Sequence, residues 1–299
     1  MRHFIKLLDY TREEILELLD LADRLKAERK RGVATPILSG KALGMIFEKS
    51  STRTRVSFEV GMYQLGGTAL FLSGKDLQIG RGEPIADTAR VLSRYLDGIM
   101  IRTYGHRVVE ELAAYATVPV VNGLTDAYHP CQALADLMTI REYKGGFEGL
   151  KLAYIGDGNN MANSLLVAGL KLGMRVSLAC PEGYRPLREA LEYAEGKPFE
   201  LTGDPLAAAR GADVVFTDVW TSMGMEAEAA ARAEAFRGYR VDEALMGVAK
   251  PDCVVQHCLP AHRGEEIDAE TFERHAGEIF DEAENRLHAQ KAILVRLMG

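Results

Sequence analysis

The sequence predicts an α/β protein of two α/β domains, each with a central, mainly parallel sheet, and a cleft between them. Three observations predict it. Strand-like and helix-like runs alternate along the 299 residues. The alternation breaks near residues 130–150 and then restarts. Polar clusters fall just after strand-like runs, at residues 48–55, 102, 129–132, 156–160, 218–224 and 257–263. Ligands of open α/β sheets bind beyond the carboxyl ends of the strands, where these clusters lie.

The elements follow in order. Residues 11–31 read as a helix, because Ile15, Leu18, Leu19, Ala22 and Leu25 recur at helical spacing and Thr11 with Glu14 forms a capping box. Residues 42–47 are an apolar strand, and residues 56–65 a helix closed by Gly66-Gly67. Residues 72–84 are glycine-rich and polar; Pro84 opens a helix to about residue 94. Short strands follow at 97–101, ending at Arg102, and at 118–121; Pro130 opens a long helix to about residue 143. After the restart, strands are expected at 151–155, 176–179, 213–217 and 253–256. Helices are expected at 160–172, 186–195 and 284–298. The domains are drawn at 1–133, completed by a C-terminal helix at 283–299, and at 134–282.

Composition removes several function classes. Hydrophobic residues are 47% and charged residues 26%, ordinary for a soluble globular protein. A formal charge of −7 argues against nucleic acid as a partner. No apolar run approaches the length of a membrane span, and the N-terminus lacks the apolar core of a signal peptide. Cys131, Cys180, Cys253 and Cys258 are scattered, without a disulfide framework. The expected location is the cytoplasm. Five Asn, five Gln and an excess of Arg over Lys, 24 to 12, suggest a thermophilic source or a GC-rich genome.

Residues 48–55, Glu-Lys-Ser-Ser-Thr-Arg-Thr-Arg, carry the most information. They sit where a strand gives way to a helix, and Ser51 or Thr52 would cap it. Arg53 and Arg55 in the first turn oppose the helix dipole, at roughly 0.3–1 kcal/mol each. Hydroxyls, guanidiniums and free backbone N–H groups at one helix start fit a bound anion such as phosphate.

Four further clusters carry chemistry. His129-Pro130-Cys131-Gln132 opens a helix, where an imidazole stays neutral and can donate to a carbonyl oxygen, or simply caps the helix. Gly156-Asp157-Gly158-Asn159-Asn160 follows a strand, but Met161 breaks the dinucleotide glycine pattern. Its adjacent amides suit a carboxylate instead. Asp218-Val219-Trp220-Thr221-Ser222-Met223-Gly224 offers a carboxylate to an ammonium, or an Asx-turn. His257-Cys258-Leu259-Pro260-Ala261-His262 lacks a fourth ligand for zinc, so no metal is expected, and Cys258 is a site residue or a packed thiol.

The anion loop, His-Pro-x-Gln, Asp-x-x-x-Ser-Met-Gly and His-Cys-Leu-Pro occur here in the order that the aspartate/ornithine carbamoyltransferase family carries them. The chain resembles that family from residue 45 to 299, and its last two motifs resemble the ornithine-type branch. The resemblance implies transfer of a carbamoyl group from carbamoyl phosphate to the δ-amine of L-ornithine, giving citrulline and phosphate without a cofactor. Putrescine, N-acylornithine and aspartate are the alternative acceptors; a nicotinamide-dependent oxidoreductase is the remote one.

By the same resemblance, Ser51, Thr52, Arg53, Thr54 and Arg102 bind the phosphate. Arg102, Thr54, His129 and Gln132 polarise the carbamoyl carbonyl, in a pocket that takes in Pro130, Cys131, Arg286 and the Cys258 and Leu259 carbonyls. Asn160 and the Met223 N–H hold the ornithine carboxylate, Asp218 and Ser222 its α-ammonium. Asp218 and Cys258, as thiol or thiolate, lie near the δ-amine. Gln78, in the loop 73–83, reaches a neighbouring subunit's site in a homotrimer or an assembly of trimers.

Overall fold

The computed structural model describes residues 2–299, without the side chains at positions 80, 81 and 226. The chain divides into two compact units, Met1–Ala135 with Arg286–Gly299, and Asp136–Asn285. Each is α/β with a wholly parallel sheet among the described residues.

The first unit opens with α1 (Arg12–Lys30), whose start carries the expected reciprocal cap between Thr11 and Glu14. There follow β1 (Ala42–Phe47), α2 (Thr52–Gln64), β2 (Thr68–Ser73), α3 (Ile85–Leu92), β3 (Gly98–Arg102), α4 (His106–Tyr115), β4 (Val120–Leu124) and α5 (Pro130–Lys144). The strands order as β2-β1-β3-β4. Chain order therefore reverses between β1 and β3, the crevice that open sheets use for ligands. Ile46, Ile99, Ile101, Val109, Leu112 and Val120 form a buried cluster on this sheet. Each such side chain contributes on the order of 1.5–3 kcal/mol by leaving water.

The second unit contains β5 (Lys151–Ile155), α6 (Asn160–Lys171), β6 (Arg175–Ala179), α7 (Arg188–Ala194), β7 (Phe199–Thr202), α8 (Pro205–Ala209) and β8 (Val214–Thr217). It continues with α9 (Ala229–Ala235), α10 (Glu243–Met246), β9 (Val254–His257) and α11 (Ala269–Arg274); α12 (Ala276–Met298) begins here and ends in the first unit. The order β7-β6-β5-β8-β9 puts its reversal between β5 and β8. One anchoring device recurs. Asp97, just before β3, accepts from the N–H of Ala42 at the start of β1 at 2.8 Å. Asp213, just before β8, does the same for Lys151 at the start of β5, also at 2.8 Å.

Several elements differ from expectation. Edge strand β2 lies partly in the stretch read as polar loop, because its residues are half-exposed and carry no buried apolar run. The edge strand β7 was not expected, for the same reason. Helix α12 starts eight residues earlier than the apolar spacing of its second half indicates, 276 against 284. Helix α2 starts at Thr52 with Ser51 as its cap, so the hydroxyl-rich segment is already helical. Among the described residues no helix is long and apolar enough to cross a membrane.

Candidate functional site

In the first unit, the loops after β1, β3 and β4 bring the anion-loop residues together. Ser51 caps α2, accepting from the Thr54 N–H at 3.2 Å. The Thr54 hydroxyl, fully buried, is where three donors converge: Ser51 Oγ at 3.1 Å, Arg102 Nη1 at 3.4 Å and Arg286 Nη2 at 3.2 Å. Arg286 also donates to Gln132 Oε1 at 2.6 Å. So residues from α2, β3, α5 and α12 meet at one point. Arg102, His129, Gln132 and Arg286 are all buried, while Thr52 is exposed and Arg53 half-buried.

His129 stands at the start of α5, its carbonyl accepting from Ala133 N–H. Its pKa lies well below the ordinary 6.5, first through burial and then through Arg286, Arg102, Lys49 and Arg53. The expected neutral imidazole is present, yet for a different main reason than the helix dipole: it is dry and surrounded by cations. Lys49 was missed. It is buried, 3.1 Å from Asp126, and its ammonium lies over the Tyr104 ring at 4.8 Å. Its place in the strand-to-helix loop was the available signal.

Two readings need correction. Arg55 does not join this cluster: its Nε lies 3.0 Å from Glu59 and its guanidinium covers Phe71 at 3.8 Å. A helical i,i+4 pair and an aromatic face explain it without an anion. The Cys131 thiol is turned to the Asn122 carbonyl at 3.3 Å, with its pKa pushed up to about 12 by burial. Only its backbone, and that of Pro130 beside it, is left for a ligand. Gln78 sits at the start of a short 3₁₀ turn, Gln78–Arg81. It is exposed, and its amide has no hydrogen-bond partner among the described residues.

In the second unit, the loops after β5, β8 and β9 build a different cluster around Asp218, which is buried. Its Oδ2 accepts from Asn159 Nδ2 at 2.8 Å; its Oδ1 accepts from Cys258 Sγ at 3.0 Å and from Val219 N–H at 2.8 Å. Asn159 is oriented in turn, its Oδ1 accepting from Tyr154 Oη at 3.1 Å and capping α6 through the Met161 and Ala162 N–H groups. Of the two adjacent amides expected to suit a carboxylate, Asn159 is spent on Asp218 and on the start of α6. Asn160 is half-buried as the first residue of α6; Ser222 is half-buried and Met223 48% exposed in the loop after β8.

Of the two forms left open for Cys258, its surroundings favour the thiol. Burial, and then Asp218, raise its pKa well above the ordinary 9.0. The residue is a thiol that donates to the carboxylate. The turn that carries it is held by His257, whose Nδ1 accepts from Leu259 N–H at 2.9 Å while Nε2 lies 3.0 Å from Glu266. Accepting at Nδ1 leaves the ring hydrogen on Nε2, facing the carboxylate. Leu259 itself adopts a left-handed conformation, φ 56°, which side-chain-bearing residues seldom take.

The segment 156–160 does not suit a dinucleotide. Asn159 already occupies two N–H groups at the helix start that a pyrophosphate would use. A Cβ at Gly158 would meet the Arg185 and Pro186 backbone at 2.3 Å, so that glycine serves chain packing. As for metals, His262, Glu265 and Glu266 place three ligand atoms within 4.8 Å of one another.

Comparison with known proteins matches both halves of the chain. The model described as "Aspartate/ornithine carbamoyltransferase, carbamoyl-P binding domain" matches residues 2–142. Its companion, "Aspartate/ornithine carbamoyltransferase, Asp/Orn binding domain", matches residues 148–297. An ornithine carbamoyltransferase of Pelobacter propionicus is 60% identical, over 100% of this chain and 99% of its own. Among solved structures, the ornithine carbamoyltransferase from Pyrococcus furiosus superposes with a TM-score of 0.95 at 55% identity, covering 100% of this chain and 97% of its own. That from Thermus thermophilus gives 0.91 at 44%, covering 99% and 98%. The chain belongs to the aspartate/ornithine carbamoyltransferase family.

Proposed function

We propose that the chain transfers the carbamoyl group of carbamoyl phosphate to the δ-amine of L-ornithine, yielding L-citrulline and phosphate. The observation that carries this reading is the buried group of Arg102, Arg286 and Lys49, with Arg53, around a neutral His129. Such a group fits a small dianion with a carbonyl beside it. Full-length relatives named ornithine carbamoyltransferase favour ornithine as the acceptor.

In this proposal Ser51, Thr52, Arg53, Thr54 and Arg102 hold the phosphate. Arg102, Thr54 and His129 face the carbonyl oxygen, Gln132 the amide nitrogen, and Arg286 holds Gln132 and Thr54 in place. Asp218 and Ser222 take the α-ammonium; Asn160 and the Met223 N–H take the carboxylate. The δ-nitrogen attacks the carbamoyl carbon, and fixed donors stabilise the oxyanion that develops. The tetrahedral intermediate collapses by breaking the bond to the phosphate oxygen, and phosphate leaves into cations already in place. The amine must shed a proton, and Asp218 is the base we assign. Cys258, as a thiol, holds Asp218 by hydrogen bonding to Oδ1. No cofactor is required by this chemistry.

The same proposal places the protein in arginine biosynthesis and in the cytoplasm, where its four free cysteines would stay reduced. It also makes the protein a homotrimer, or an assembly of trimers, with shared sites. Support comes from the apolar surface that α2 and edge strand β2 present: Val56 is 50% exposed, Tyr63 81%, Leu70 45% and Phe71 39%. Gln78 follows that edge. Mixing inactive Gln78→Ala protein with inactive Arg102→Ala protein, after dissociation, should restore partial activity. Mixtures that stay dead would assign the loop to its own subunit. The decisive assay is citrulline formation with ornithine, run beside aspartate, putrescine and N-acetylornithine. Carbamoylation of one of those instead would displace ornithine.

A further inference from the structure

Of the three loops that build the ornithine cluster, two are tied by one buried side chain. Arg232, on α9, is 5% exposed. Its Nη1 donates to Asp157 Oδ2 at 2.7 Å, in the loop after β5. The same nitrogen donates to the Trp220 carbonyl at 2.9 Å, in the loop after β8. Its Nε donates to Glu228 at 3.1 Å, and the guanidinium lies over the Tyr184 ring at 4.9 Å. Trp220 is itself buried, stacked on Phe236 with centroids 6.0 Å apart.

We infer that Arg232 is a positioning residue that sets the ornithine-binding loop, by fixing Asp157 and Trp220 to each other from the far side of that loop. This rests on the reading of Asp218, Ser222 and Met223 as ornithine contacts. The physical case is one of spacing along the chain. Asp218 is fixed at one end by Asn159 and Cys258. Arg232 closes the other end, fourteen residues on. Between them lie Ser222, half-buried, and Met223, exposed. Without the guanidinium, the hydrogen bond from Asn159 to Asp218 remains, and it acts before Trp220. A lysine could reach one partner but lacks the planar fork that serves two carboxylates and a carbonyl at once. Leaving Asp157 buried opposite an apolar side chain adds a further penalty, so the loop would relax away from it.

The test uses the full-length protein with Arg232→Met, Arg232→Lys and Asp157→Asn. Ornithine KM should rise at least tenfold in Arg232→Met, with carbamoyl phosphate KM changed less than twofold and kcat less than fivefold. Norvaline, which has ornithine's α-groups but no δ-amine, should lose affinity in parallel. Arg232→Lys should fall between wild type and Arg232→Met. Amide exchange over residues 219–228 should quicken in Arg232→Met and Asp157→Asn. If Arg232→Met fails to fold, the lysine and asparagine variants carry the same readouts. Unchanged ornithine KM and norvaline affinity in folded variants, even with a lowered melting temperature, would reduce Arg232 to a structural ion pair. Wild-type protein that forms no citrulline would instead remove the functional reading, a separate failure.

Discussion

The two sheets solve the same geometric problem and then part company in charge. Each places its central strand at a reversal of chain order, β1 beside β3 and β5 beside β8, and each anchors that strand's first N–H on an aspartate. At the carboxyl ends, however, the first unit gathers Lys49, Arg53, Arg102 and Arg286 around a neutral imidazole. The second gathers Asp218, Asn159 and a neutral thiol. Topology decides where a ligand goes, and a handful of loop residues decide its sign. A cationic site suits a phosphate, and a carboxylate with amides suits an amino acid.

Four substitutions would break or sharpen that contrast. The largest effect is expected at the cationic end. Arg53→Ala should cut turnover by about 10²-fold or more and raise the carbamoyl phosphate KM. Its unliganded stability should stay level or rise slightly, since a cation leaves the start of α2. Full activity would end the phosphate assignment. At the anionic end, Asp218→Asn should lower kcat/KM for ornithine by roughly 10²-fold, since it removes the assigned base together with a charged hydrogen bond. Carbamoyl phosphate binding, measured by calorimetry, should hardly change; a matching loss there would dissolve the distinction between the two sites.

A smaller effect is expected from Cys258→Ala, about tenfold in kcat, because it removes a neutral donor from Asp218. With the Cys258 pKa raised well above 9.0, the thiol stays protonated through the working range. The alkaline limb of the rate profile should therefore keep its position in the variant. A limb that moves would restore the thiolate.

The smallest effect is one on stability. The buried imidazole of His129 has its pKa lowered in the fold, so the unfolded chain binds more protons below pH 6.5. Stability from this source is therefore present above 6.5 and lost as pH falls toward the folded value. The slope is at most about 1.4 kcal/mol per pH unit. His129→Gln should flatten that part of the stability curve, read by denaturant unfolding between pH 7 and 5. An unchanged slope would mean that the imidazole is not held neutral.

Much was legible in the chain because local rules and global fold agree. Alternating apolar runs gave the α/β class, and the residues after each strand gave both clusters, since a parallel sheet must present those loops at one edge. The Thr11 and Ser51 caps follow from hydroxyl placement alone. Edge strands β2 and β7 escaped notice because they are short and partly exposed throughout, and β2 runs into the polar stretch that follows it. What local spacing cannot supply is which side chains meet. Arg53 and Arg55 are two residues apart at one helix start, yet Arg55 lies on Glu59 and Phe71. Arg286 bonds Thr54 from 232 positions away, and Arg232 reaches Asp157 across 75. Sequence alone determined the α/β class, the buried central strands and the chemistry offered at the loops after them, because those depend on neighbours along the chain. Tertiary structure alone decided that His129 is neutral by burial among cations and that Cys258 is a thiol, because desolvation and through-space charge depend on what packs against a group.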